Sequence, residues 1–207
     1  MRTMVVASQK GGVGKTTIAG HLAVMAESAG AGPVALIDTD PQGSLSSWWN
    51  ERKAETPVFA SVDIVQLADH LQQLKKAGIK LAIIDTPPAV TETIRQVLAV
   101  ADLVLIPTRP SPHDLRAVGS TVALVEAVGK RMVFVINGAA QRAKITGEAA
   151  IALSQHGTVA PVTLYQRTDF AASMIDGRTA QEIDPMSRSA GEIVELWKYV
   201  ATQLHKK

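Results

Sequence analysis

Short apolar runs limit the architecture of this chain more than any other feature: "MVVAS" (4–8), "VALID" (34–38), "LAIID" (81–85), "LVLIP" (103–107), "MVFVIN" (132–137) and "VAPVTL" (159–164). A strand with one wet face alternates apolar and polar residues. Unbroken runs suit strands covered on both faces, as in a parallel sheet between helical layers. Between the runs the spacing turns helical: Ile18, Leu22, Met25 and Ala26 fall at i, i+4, i+7 and i+8, and Leu67, Leu71 and Leu74 form a second stripe. Ser189 and Glu192 stand at capping-box spacing ahead of Ile193, Trp197, Val200 and Leu204, which predicts a helix from about 189 to 205. Alternation throughout predicts an α/β fold, a doubly wound, mostly parallel sheet with helices on both faces. No repeat, low-complexity tract or linker divides the 207 residues, so one domain over 1–207 is expected. The prolines of "PTRPSPHD" (107–114) predict a stiff, non-helical loop at a strand's carboxyl end, where open α/β sheets bind ligands.

Composition excludes several chemistries. The chain has no cysteine, which removes disulfides, thiolate metal sites, cysteine-ligated iron–sulfur clusters and cysteine nucleophiles. A formal charge of +2 is only weakly basic, so a polyanion would have to meet a local patch. No stretch approaches the roughly 20 apolar residues of a membrane span, and the N-terminal apolar run is too brief for a secretion signal.

Between the first strand and the first helix lies "SQKGGVGKTT" (8–17). Gly11, Gly12 and Gly14, with Val13 between them, let successive backbone N–H groups curl round phosphate oxygens. Lys15 supplies a cation for the β and γ groups, and the Thr16 hydroxyl, followed by Thr17, can ligate Mg²⁺ at the positive end of the helix. A dinucleotide GxGxxG fails because residue 17 is threonine, and the usual GxxxxGK[ST] fails because residue 9 is Gln9. What stands is K-G-G-V-G-K-T, a phosphate loop with a second lysine, Lys10, at its entrance. Asp85 ends the run "LAIID", where a carboxylate is expected to hold Mg²⁺. Asn137 ends "VFVIN" and offers both the donor and the acceptor that an adenine edge requires. No Asn-Lys-x-Asp guanine pattern follows it, which favours ATP over GTP.

"KGGVGKTT", "LIDTDPQGSLSSW" (36–48) and "AIIDTPP" (82–88) together resemble the deviant Walker A ATPases of the ParA and MinD group, above all the short ParF-like ParA partition proteins. "PTRPSPHDLRAVG" (107–119) and "YQRTDFAASMIDGRTAQE" (165–182) extend the likeness along the chain. The resemblance implies a slow ATPase with ATP and Mg²⁺ as cofactors and an ATP-dependent homodimer in which Lys10 reaches the phosphates bound by the other subunit. A lysine upstream of the cradle is badly placed for its own γ-phosphate but can neutralise charge in trans, as an arginine finger does. By the same resemblance Asp40 of the DPQ motif positions the attacking water, while Asp38 sits nearer the Mg²⁺ sphere with Thr16 and Asp85. Catalytic roles fall to Lys10, Lys15 and Asp40.

The resemblance also implies non-specific DNA binding by the ATP dimer, with Arg167 and Arg178 as contacts, a ParB-like or cargo-adaptor protein that stimulates hydrolysis, and a cytoplasmic, nucleoid-associated location. Arg109, Arg116, Lys130, Arg131, Arg142, Lys144 and Arg188 add base to the latter half, most of it expected as solvated surface. No helix-turn-helix pattern precedes the phosphate loop, so operator reading is not expected. Of the adjacent Trp48 and Trp49, one is expected in the core. The alternative is a MinD-like membrane regulator whose helix "EIVELWKYVATQLHKK" lies on a bilayer. Its stripe of Trp197 and aliphatics suits packing on the sheet better.

Overall fold

The computed structural model describes residues 1–88 and 92–206; Lys207, at the end of the expected domain range, lies outside them. Seven strands, β1 (Arg2–Val6), β2 (Val34–Asp38), β3 (Val58–Phe59), β4 (Leu81–Asp85), β5 (Leu103–Thr108), β6 (Met132–Ala139) and β7 (Thr158–Tyr165), form one sheet in the order β3-β2-β4-β1-β5-β6-β7. Every neighbouring pair is parallel. The connecting helices are α1 (Lys15–Ser28), α2 (Ser44–Asn50), α3 (Leu67–Lys76), α4 (Glu92–Ala99), α5 (Pro112–Ala127), α6 (Lys144–Ser154), α7 (Thr168–Ser173), α8 (Ala180–Ile183) and α9 (Arg188–His205).

Strand parity divides the apolar runs between two cores. Met4, Val6, Leu36, Ile83, Leu105 and Val135 face α1, α2 and α9, while Val5, Ile37, Ile84, Val104, Ile106 and Phe134 face α3 to α6. Both faces of the runs on β1, β2, β4, β5 and β6 are therefore largely dry, which is why these strands show no polar alternation. The run on the edge strand β7 departs from that expectation, with only Ala160 and Leu164 buried and Pro161 exposed. The order reverses about β1, whose neighbours are β4 and β5, and the crevice at this switch point opens beyond the strands' carboxyl ends. The phosphate loop, the 38–43 loop and the turn after Asp85 all leave the sheet there.

Two local expectations are corrected. The proline segment is not helix-free: only 109–111 is loop, because Ser111 caps α5 and Pro112 occupies its first turn, where a missing N–H costs nothing. Pro107 lies within β5 opposite Val135. The last helix starts at Arg188 with Ser187 as its cap, so Ser189 and Glu192 do not form a capping box. Ser189 instead donates to Asp169, and Glu192 accepts from the Tyr165 N–H and the Arg167 guanidinium. The expected stripe of Ile193, Trp197, Val200 and Leu204 is buried. The two-residue β3 is too short to leave an apolar run in the sequence.

Candidate nucleotide site

A cavity of about 1020 Å³ opens at the switch point, with one wall formed by the phosphate loop, Asp40 and α2 and the other by residues 164–175. Gly12 and Gly14 hold φ at +72° and +90°, left-handed values that suit glycine and turn the loop's N–H groups inward. A Cβ on Gly14 would collide with Asn137 Nδ2, so glycine is required there on packing grounds as well.

Lys15 opens α1 and is buried; its ammonium donates to the Lys10 carbonyl at 3.4 Å. Burial lowers its pKa, and the Asp85 and Asp40 charges oppose that shift. Thr16 Oγ1 donates to Asp85 Oδ2 at 2.6 Å, and the Thr86 N–H donates to Oδ1 at 3.0 Å. Asp85 is 1% exposed, and burial pushes its pKa up to about 7 against the Thr16 bond and the Lys15 charge. A dry carboxylate touching a hydroxyl beside a phosphate cradle fits Mg²⁺, which keeps water and phosphate oxygens in its sphere and needs few protein ligands. Among the described residues no group of three or more His, Cys, Asp or Glu is placed to hold a metal ion.

The two aspartates of the 38–40 loop differ. Asp38 lies close enough to help raise the Asp85 pKa, but its oxygens accept from the N–H groups of Asp40, Leu45 and Ser46, which fixes the start of α2. The Asp40 carboxylate accepts only from the Gln42 N–H among the described residues, and Asp40 lines the cavity. Lys10 lies at the other extreme from Lys15: it is exposed, and among the described residues no hydrogen bond or ion pair holds its ammonium. Asn137 reaches the site with its amide donating to the Val13 carbonyl at 2.6 Å, tying the phosphate loop to β6. Nucleotide-binding candidates Gly11, Gly12, Gly14, Lys15, Thr16, Thr17 and Asn137 all line the cavity, whereas Val13 is buried beneath the loop.

The far wall is stapled by side chains that carry no motif in the sequence. His21, fully buried on α1, donates from Nδ1 to the Thr17 carbonyl at 2.8 Å and accepts at Nε2 from the Ala180 N–H at 3.1 Å. Burial lowers its pKa to about 4, opposed by the Thr17 carbonyl and the Glu182 charge. Arg52 donates to the Gly177 carbonyl and to both oxygens of Glu182, and Trp48 Nε1 donates to the Arg178 carbonyl. Trp48 is core, while Trp49 is half-buried, donates to Pro57 and packs on Phe59. The nearest sequence signal for this wall is a lone histidine within the apolar stripe of α1. The two arginines singled out for DNA part company. Arg167 is 17% exposed, paired with Glu192 at 2.6 Å and lines the cavity, whereas Arg178 is 53% exposed and paired with Asp176.

Residues 4–180 match the CobQ/CobB/MinD/ParA nucleotide binding domain. The chain is 31% identical over 206 residues to the maintenance of carboxysome distribution protein A of Halothiobacillus neapolitanus, covering 92% of this chain and 91% of that protein. It is 26% identical over 218 residues to the protein ParA of Rhizobium radiobacter, covering 100% and 97%. In fold it superposes on the apo McdA of Cyanothece with a TM-score of 0.81 across 99% of each chain, at 18% identity. With the glycine loop, the doubled lysine and the switch-point crevice brought together in the matched region, this chain belongs to the MinD/ParA nucleotide-binding family.

Proposed function

We propose that the protein is a positioning ATPase of the ParA type, in which ATP closes a two-subunit sandwich, the dimer holds DNA without reading its sequence, and a ParB-like or cargo-adaptor partner triggers hydrolysis and release. The observation that carries this reading is the contrast between the two lysines. Lys15 is buried inside the cradle, whereas Lys10 is exposed at its entrance, its ammonium unpaired among the described residues. A cation so placed is of use to phosphates arriving from a second subunit.

In the bound site the N–H groups of residues 11–15 and the Lys15 ammonium bind the phosphate chain, and Thr16 and Asp85 are the residues that would hold Mg²⁺, with Asp38 orienting the loop beside them. The ion supplies charge neutralisation on the phosphates. Asp40, with one oxygen engaged by Gln42, orients the water for attack on the γ-phosphorus. Asn137 steadies the loop and presents its carbonyl to the base. The name of the carboxysome-distribution relative suggests a protein body as one class of cargo. A MinD-like membrane role, with α9 lying on a bilayer, has less support, because the apolar stripe of α9 is buried against the sheet.

The test is a mixed-dimer ATPase assay with DNA present. Lys10→Ala should keep ATP binding in the single subunit and lose stimulated hydrolysis. Mixing Lys10→Ala with Lys15→Ala subunits should restore one asymmetric active site. Full activity in Lys10→Ala alone, or no complementation, overturns the sandwich mechanism.

A further inference from the structure

Arg109 follows β5, between Pro107 and Pro110, and its side chain crosses the crevice from the base end of the site to the phosphate loop. Its stem lies along Gly138, where an added Cβ would stand 3.6 Å from Nε and 3.7 Å from Cγ. Its tip lies over Gly12, where an added Cβ would stand 3.9 Å from Nη2. Both glycines hold φ near +70°, at +65° and +72°, and neither carries a side chain that would lift the arginine off the backbone. Arg109 is exposed, lines the same cavity as Gly11, Gly12 and Lys15, and its guanidinium has no carboxylate or carbonyl partner among the described residues.

The other arginines at or near the cavity are engaged: Arg167 by Glu192, Arg52 by Glu182 and Gly177, Arg178 by Asp176. Among the described residues, Arg109 is therefore the one whose five donors are free and already aimed along the crevice, and a guanidinium fork matches phosphate oxygens better than any other side chain. Resting on the nucleotide reading above, we infer that Arg109 is a third cation of the site, one that engages the phosphate chain of the nucleotide bound in its own subunit from the side opposite Lys15. Lys15 approaches from within the loop and Arg109 from across Gly12, so the two clasp the phosphates between them.

Titration calorimetry on the full chain tests this with Arg109→Gln and Arg109→Lys, using ATP, ADP and adenosine with Mg²⁺. Arg109→Gln should weaken ATP and ADP by about ten- to a hundredfold, the worth of a charge-assisted contact. Adenosine affinity and the melting temperature should not move, and Arg109→Lys should recover part of the loss. The salt dependence of ATP binding should also flatten in Arg109→Gln. Unchanged ATP affinity in Arg109→Gln, or an equal loss for adenosine and ATP, overturns the inference while leaving the site assignment intact. Failure of the wild-type chain to bind ATP would instead overturn the nucleotide reading itself.

Discussion

The two walls of the crevice are built by different means. On one side the groups proposed to face a nucleotide ride on the carboxyl ends of β1, β2 and β4, so the register of a parallel sheet brings Lys15, Thr16, Asp38, Asp40 and Asp85 together. Val6 stands beside Asp85, and Asp85 beside Asp38, because the strands pair there. On the other side, residues 165–180 are held by side chains reaching from distant helices: His21 to Ala180, Trp48 to Arg178, Arg52 to Gly177 and Glu182, and Glu192 to Tyr165 and Arg167. The first wall is set out by strand register, with short side-chain bonds from Thr16, Asp38 and Asn137 completing it. The second is a strap fastened to α1, which starts at the phosphate loop, and to α2, which starts at the Asp38–Asp40 loop.

The largest expected effect falls on the first wall. Lys15→Ala removes a cation facing several phosphate oxygens and should weaken ATP by about a thousandfold, the size of two charge-assisted contacts. Its melting temperature should change little, because a desolvated lysine with a lowered pKa adds no stability of its own. Calorimetry and thermal denaturation on the same sample separate the two quantities. A large fall in melting temperature with ATP affinity retained would show that the first wall, too, is held by its side chains.

The second wall should answer in stability and not in phosphate affinity. The His21 pKa falls from an ordinary 6.5 to about 4 on folding. Between those values the unfolded chain carries the extra proton on this ring, so the His21 contribution to stability rises with pH across that window, opposite in sign to that of Asp85, whose pKa is raised on folding. The contribution is fully present above pH 6.5 and lost as pH falls toward 4, in all about 3 kcal/mol. The Glu182 charge acts on the ring and limits the loss. His21→Gln should cost about 1–3 kcal/mol at pH 7 through the broken Thr17 and Ala180 bonds, and should remove the positive His21 contribution to the slope between about pH 4 and 6.5, so that the wild-type advantage over the variant shrinks as pH falls. Urea denaturation of both proteins across that range measures this. Parallel pH profiles would show that the imidazole does not hold the strap.

The same contrast explains what could be read from the sequence. The six apolar runs, the glycine loop and the strand-terminal aspartates are local patterns, and the sheet converts them into neighbours with little further information. The staples that His21, Trp48 and Arg52 make to the strap join residues 125 to 160 positions apart, as Arg52 to Gly177 and His21 to Gln181, with no local signature at either end. Ser189 and Glu192 show how local reading errs: the capping-box spacing is present, but Asp169 and Arg167 claim the two side chains from outside the helix, leaving Ser187 to cap it. Asn137 is legible as a site residue by position, yet its amide is docked on Val13, an arrangement only the folded loop creates.

The smallest effect expected is at the outer face of the strap, and it decides what the strap is for. Arg178 is half exposed, and its partner Asp176 is equally open to solvent, a pairing that contributes little to stability. Arg178→Glu should therefore leave folding and ATP affinity as they are. If the strap presents this arginine to DNA in the ATP dimer, the variant should weaken binding to every duplex alike, by less than about tenfold, and reduce the slope of log affinity against log salt by about one for each phosphate no longer neutralised. Arg167 offers an internal control: its charge is already satisfied by Glu192 inside the crevice, so Arg167→Gln should disturb the nucleotide site and the strap before it disturbs the salt slope. Fluorescence anisotropy with two unrelated duplexes over a salt series, with ATP and with ADP, reads both variants. An Arg178→Glu protein with an unchanged salt slope in ATP would move the DNA surface elsewhere on the dimer and leave the strap as a structural fastening alone.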